Sequence, residues 1–181
     1  LGRHALSKIQ GSAGANTALG FGALENMTTG GTNTAVGGGA MQVLSTGTHN
    51  VAVGGYAGQK LTVGDQNTYV GNFSGEEATT AEYNTVVGYA AGGSNTEATG
   101  NYNSALGFSA LQNTTTAGAN TAIGGFAMQG VTTGSNNVAV GYAAMDAAVT
   151  GSDNVAVGKG ASTALTTATY TVSVGASALA S

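Results

Sequence analysis

The chain has 181 residues, with 32 Gly and no Pro, Cys or Trp; aromatic residues make up 6%, charged residues 7%, and the formal net charge is -4. So few large apolar side chains cannot fill a bulky core, so the chain must order itself through close approach of small residues and backbone hydrogen bonds. Scattered Arg3, Lys8, Lys60 and Lys159 argue against nucleic acid or an anionic membrane, the lack of Cys removes disulfide and thiolate-metal frameworks, and no apolar run approaches the ~18 residues of a membrane span, so no membrane insertion is expected of this segment.

The chain opens on "LGRHAL", which is echoed 18 residues later by Leu19, Gly20, Phe21, Gly22, Ala23 and Leu24. Residues 1–15 therefore read as the second half of a repeat unit. From Asn16 the unit is complete: Asn recurs at 16, 33, 50, 67, 84, 103, 120, 137 and 154, and Thr171 takes its place in the last unit. The step is 17 residues, apart from one step of 19 between Asn84 and Asn103, which gives ten units.

With the Asn counted as position zero, position four is Gly in every unit: Gly20, Gly37, Gly54, Gly71, Gly88, Gly107, Gly124, Gly141, Gly158 and Gly175. Position three is always aliphatic, from Leu19 and Val36 through Leu106 and Ile123 to Val174, and position seven is Ala except at Ser74. Three residues before each new start stands a Gly, or Ala81, Ala117 or Ala168. Both ends of the chain fall inside a repeat, the first residue is Leu1, and no signal peptide is legible. The sequence thus reads as one repeat domain over 1–181, a fragment of a longer repeat protein.

Within N-[TV]-A-[VLI]-G the side chains alternate, which is the period of a strand. β-Branched strands ended by Gly and repeated at a short period predict an all-β fold, a parallel β-solenoid or β-roll of about ten 17-residue coils. Helical repeats are disfavoured by the dense Gly, the scarcity of strong helix formers and a unit too short for two helices. The 19-residue step contains "GGSNTEATG" at 92–100, so its extra residues are expected in a turn.

Beyond the partial unit at 1–15 and Glu97 in the 19-residue step, charge is confined to positions nine and ten (Glu25, Glu76, Glu77, Asp146, Lys60), to the residue or two before a start (His49, Asp65, Glu82, Asp153), and to Lys159 after its Gly. None lies between the Asn and the Gly, so that segment and the position-seven Ala are expected to be buried. Seventeen residues allow two short strands and two turns per coil, enclosing Ala, Gly, Thr and a single aliphatic row. At ~4.8 Å per stacked strand, ten coils make a rod of about 50 Å. So narrow a rod has an exposed aliphatic or Ala face and open ends that invite association, so a homo-oligomer is expected. The repeated Asn suits a hydrogen-bonded ladder along the stack, and the Gly supplies a backbone angle or approach that a Cβ would block.

"NVAVGYAA" at 137–144 and "NVAVGKGA" at 154–161 resemble the S-V-A-I-G-x-x-[SA] head repeat of YadA-like trimeric autotransporter adhesins. The resemblance runs across all ten units. It implies a left-handed parallel β-roll whose three chains pack, intertwined or side by side, into a homotrimer. It departs in period, 17 residues here against near 14 in that family, in a longer "TTG" outer loop, and in Asn where the family commonly has Ser. The longer form "NTALGFGALENMTTGGTNTAVG" is similar to repeats of bacteriophage tail fibres and of large bacterial surface proteins. That likeness implies a fibre segment outside the cell and names no receptor-contacting residue.

Chemistry-bearing residues are few. His4 and His49 occupy different positions of their units and read as solvated loop residues rather than a metal or catalytic pair. Glu76, Glu77 and Glu82 form the one acidic cluster, without the oxygen-rich loop spacing of a calcium site. No nucleophile, base and orienter can be assembled, no paired carboxylates recur in register, and "GGGA" at 37–40 is no phosphate loop. Hence no catalytic residue, cofactor or metal is assigned, and an enzyme is not expected.

The aromatics are better ordered. Phe21, Tyr89, Phe108 and Tyr142 follow the Gly directly, Tyr56, Phe73 and Phe126 come one residue later, and Tyr83, Tyr102 and Tyr170 precede a start. They read either as rows packed at a coil corner or between chains, or as a track that stacks on surface sugars. The Thr row (Thr17, Thr34, Thr68, Thr85, Thr121) hints at ice binding but is broken by Val51, Val138 and Val155.

The expected function is a structural and adhesive fibre segment on a virion, most simply the shaft or distal part of a phage tail fibre. It would be extracellular, with a host cell-surface polysaccharide or protein receptor as partner. A bacterial trimeric autotransporter adhesin on the cell surface is the alternative; a solenoid carbohydrate-active enzyme or an ice-binding protein ranks below both.

Overall fold

The structure is a computed structural model, described over residues 2–10, 13–93, 98–147 and 149–180. Each unit contributes one three-residue strand: β1 (Thr17–Leu19), β2 (Thr34–Val36), β3 (Val51–Val53), β4 (Thr68–Val70), β5 (Thr85–Val87), β6 (Ser104–Leu106), β7 (Thr121–Ile123), β8 (Val138–Val140), β9 (Val155–Val157) and β10 (Val172–Val174). They form one parallel sheet in sequence order, each strand paired in register with the same positions of the next unit. The chain is a β-solenoid, and no helix occurs among the described residues.

The expected second strand of each coil is replaced by turns. Three positions per coil take left-handed backbone angles: position six (Tyr56, φ 59), position eight (Leu24, φ 50; Met41, φ 45) and the residue before each Asn (His49, φ 59). Such angles point successive peptide groups alternately up and down the rod. In the third coil Tyr56 N–H donates back to Gly38 at 2.8 Å, whereas Gly58, Lys60 and Thr62 donate forward to Ser74, Glu76 and Thr79 at 2.9, 3.0 and 2.8 Å. Backbone polar groups outside the strands are thus paired between coils without a second sheet, at a cost of ~1–2 kcal/mol for each non-Gly left-handed residue.

The interior also differs from expectation. The burial predicted for the whole N-[TV]-A-[VLI]-G segment holds for the Asn and for position two, where Ala35, Ala52, Ala122, Ala139 and Ala156 are fully buried. It fails for positions one and three, which face outward: Leu19 is 54% exposed, Leu106 52% and Ile123 41%. Between opposite walls of so narrow a coil there is room at the strand only for Ala. Bulk comes instead from position eight (Leu24, Met41, Leu111, Met128, Met145) and position eleven (Met27, Leu44, Leu61, Val131), all at or near complete burial. The left-handed angle at position eight turns its side chain inward beside the equally buried Ala at position seven, breaking strand-like alternation.

Volume is conserved across the core. Where Tyr69 and Val86 replace Ala at position two, Gly75 and Gly92 replace Leu or Met at position eight, and a Cβ at either Gly would collide with or crowd the larger side chain. Burial pushes the Tyr69 phenol far above its usual range, against a hydrogen bond with the Asn84 side chain that acts in the opposite sense.

The Asn column forms the predicted ladder. Each rung from Asn33 to Asn154 donates its backbone N–H to the preceding Asn Oδ1, at 2.8–3.1 Å, as in Asn33 to Asn16 and Asn103 to Asn84. Its Nδ2 donates to the carbonyl three residues before the next start, for example Asn50 to Gly64 at 2.8 Å and Asn120 to Gly134 at 2.9 Å. Thr171 ends the described ladder, contributing only its backbone N–H, 2.9 Å from Asn154 Oδ1. The Gly column is doubly required: Gly124 has φ 129, and a Cβ there would lie 2.5 Å from the Gly141 carbonyl oxygen.

The 19-residue step leaves the sheet undisturbed, with Thr85, Val86 and Val87 paired to Ser104, Ala105 and Leu106. The turn expected within 92–100 lies partly outside the described residues; on its far side Ala98 bridges to Ala78 and stacking resumes. A cavity of about 20 Å³ remains inside this coil beside Tyr69, Val86, Gly92 and Leu111.

Candidate interaction surface

Rows one and three form one outer sheet face along the rod. Row three is aliphatic on every coil; row one is Thr, Val or Ser, and both project from strands whose middle residue anchors them inward. Across β5, β6 and β7 the face carries a shallow apolar depression of about 190 Å³ lined by Thr85, Val87, Ser104, Ala105, Leu106 and Ile123. The Thr row lies here, interrupted by Val51, Val138 and Val155, so the face alternates hydroxyl and methyl surface rather than forming an unbroken Thr rank.

Beyond the Gly column the chain turns a corner that carries the aromatics. Six rings follow one another over six successive coils: Tyr56, Phe73, Tyr89, Phe108, Phe126 and Tyr142, with centroids 5.1–5.7 Å apart; Tyr56 with Phe73 and Tyr89 with Phe108 are stacked, and the other three junctions are edge-on. Positions five and six serve interchangeably, since rings from both join the same run at similar spacing. Phe21 stands apart from this run, meeting His4 edge-on at 5.6 Å. On the opposite corner Tyr83 and Tyr102 stack at 4.9 Å, and Tyr170 is 82% exposed.

A column of polar side chains at position nine flanks the ring row. The backbone N–H of Gln59 donates to the Tyr56 carbonyl and that of Gln129 to the Phe126 carbonyl, both at 3.2 Å, which places each Gln in the same turn as a ring. The side chains join along the rod: Gln42 to Glu25 at 2.8 Å, Gln59 to Gln42 at 3.1 Å, Gln129 to Gln112 at 2.7 Å. Charge confinement made this column legible only in part, since it pointed to Glu25, Glu76 and Asp146 and passed over the four Gln of the same row.

The remaining candidates are dispersed. His4 packs on Phe21 at the aromatic corner, whereas His49 is exposed beside a start position and donates its backbone N–H to Gly31 at 3.2 Å. Glu77 pairs with Lys60 at 2.7 Å. Burial and the neighbouring Glu77 raise the pKa of Glu76 above its ordinary value, with Lys60 opposing them. Glu82 sits in another part of the coil, its backbone N–H bonded to Asn101 Oδ1 at 2.8 Å. Among the described residues no three His, Asp or Glu side chains gather as metal ligands would.

No protein-family model matches this chain, and no curated protein or solved structure is significantly similar to it.

Proposed function

We propose that this chain is a structural and adhesive fibre segment, a stiff shaft that works outside the cell as part of a bacteriophage tail fibre and carries host attachment. The observation that carries this reading is the aliphatic face repeated on every coil: a row of Leu, Val and Ile at position three that the solenoid cannot bury in its own interior. An apolar surface of this length in water favours association, and a second and third copy of the same rod match it coil for coil. Three such rods packed on these faces make a homotrimer, in keeping with the head-repeat likeness read from the sequence. The ladder of buried Asn and the inter-coil backbone bonds supply stiffness.

The test is sedimentation of the purified chain over a wide concentration range. A species of three chain masses is expected, and Leu106→Asp, in the apolar depression, converts it to monomer while leaving the circular-dichroism spectrum unchanged. A chain that sediments as a monomer throughout would remove the reading. The cell-surface adhesin alternative draws on the same likeness, and the flanking sequence separates the two: a C-terminal membrane-anchor barrel marks the adhesin, a virion-attachment domain the phage fibre.

A further inference from the structure

We infer that the ring row from Tyr56 to Tyr142 is a binding ridge for an extended, uncharged β-linked glycan, with successive sugar rings laid along successive coils. This rests on the fibre reading, because a segment that carries host attachment needs a surface that meets the host. It goes further in naming that surface and the chemistry it accepts.

Four observations point the same way. The rings form a continuous run spaced 5.1–5.7 Å apart, close to the advance of one pyranose along an extended β-1,4-linked chain. After stacking on one another Tyr56, Tyr89, Phe108 and Tyr142 remain 45%, 50%, 50% and 56% exposed, so they contribute little to closing the coil. An aromatic face in water suits the apolar C–H face of a sugar. Beside the rings, the Gln column supplies side-chain amides, which can both donate to and accept from sugar hydroxyls.

Charge then selects the class of glycan. The column beside the rings bears Glu76 and Asp146; Lys60, one position beyond it, is paired with Glu77, and the exposed Lys159 stands in the ring row only after the run has ended, one coil past Tyr142. An acidic polysaccharide would meet like charge, whereas a neutral one meets none. Position four separates the ridge from the aliphatic face, so self-association and glycan binding use different sides of the same corner. Individually weak ring contacts add along a polymer, as expected of a multivalent surface.

Affinity electrophoresis of the purified chain in native gels tests this, with hydroxyethylcellulose as the neutral β-1,4-glucan and dextran sulfate as the acidic control. Hydroxyethylcellulose is expected to retard the chain and dextran sulfate to leave it unretarded. Tyr89→Ser/Phe108→Ser should weaken retardation about tenfold, the loss of two ring contacts of the size aromatic pairs contribute. Tyr142→Ser, at the exposed end of the row, gives a smaller loss and guards against a folding defect in the double variant. Tyr83→Ser/Tyr102→Ser, on the opposite corner, should retain full retardation.

Equal retardation of the wild type and both ridge variants, absence of retardation by hydroxyethylcellulose, or preference for dextran sulfate would each overturn the inference. So would dissociation of the oligomer by Tyr142→Ser, which would make the row a seam between chains. Ring-dependent retardation of a chain that sediments as a monomer would keep the ridge and remove the trimeric fibre. A trimer that hydroxyethylcellulose does not retard would do the reverse.

Discussion

Asn50→Ala probes the ladder where it is fully buried. Asn50 Nδ2 donates to Asn33 Oδ1 at 3.1 Å and to the Gly64 carbonyl at 2.8 Å, while its Oδ1 accepts the Asn67 backbone N–H at 2.9 Å and Asn67 Nδ2 at 3.0 Å. Truncation leaves the Asn33 oxygen with the Asn50 backbone N–H, and Asn67 Nδ2 with Ala81, so neither is orphaned. The Asn67 N–H and the Gly64 carbonyl do lose their partners. A buried polar group without a partner costs about 1–3 kcal/mol, so the variant should lose about 4 kcal/mol of unfolding free energy. Urea unfolding followed by circular dichroism, with Asn50→Ala set beside Val53→Thr on the outer face, reads the difference. Val53→Thr should stay within ~0.5 kcal/mol in the dilute, unassociated chain. An Asn50→Ala loss below ~1 kcal/mol would mean that the ladder merely fills space and that backbone pairing alone carries the stack.

Further outcomes follow from the glycine column, the core and the buried phenol. Gly124→Ala and Gly175→Ala both force a side chain into a backbone region that only Gly adopts readily, at ~1–3 kcal/mol, but only Gly124→Ala also drives its Cβ against a neighbouring carbonyl, that of Gly141, so it should melt clearly below Gly175→Ala, which has nothing within 4 Å. Tyr69→Ala should cost ~3–5 kcal/mol, and adding Gly75→Met, which recreates the pairing of Ala35 with Met41 and of Ala122 with Met128, should recover part of it in the same melts, the space beside Gly58 staying unfilled. Because burial raises the Tyr69 pKa in the folded state, its contribution is fully present below the unfolded value of about 10 and is lost as pH rises beyond it. Urea midpoints at increasing alkaline pH should therefore fall faster for the wild type than for Tyr69→Phe, and parallel decline would contradict the burial.

The strict repetition of Asn, Ala and Gly at 17-residue steps determined by itself that the chain is a parallel solenoid, how many coils it has, and where the ladder and the closely packed corner lie. Those features are local or translational: a residue recurring at each coil must meet its own copy, and Asn and Gly each have few ways to do so. Which side of the strand faces inward was decided only by the tertiary structure. In T-A-V the bulky alternating residues read as core, yet the coil is too narrow at the strand for anything but Ala, so Leu19, Ile123 and their row were turned outward. The interior was filled from Leu24, Met41 and Met128, whose left-handed backbone places them beside an already buried Ala, an arrangement that period-two reasoning does not contain. The aromatics were legible as rows at a coil corner, between chains or along a track for sugars, but not which rings join into one run. The run draws irregularly on positions five and six, which become one continuous surface only when the coils are stacked.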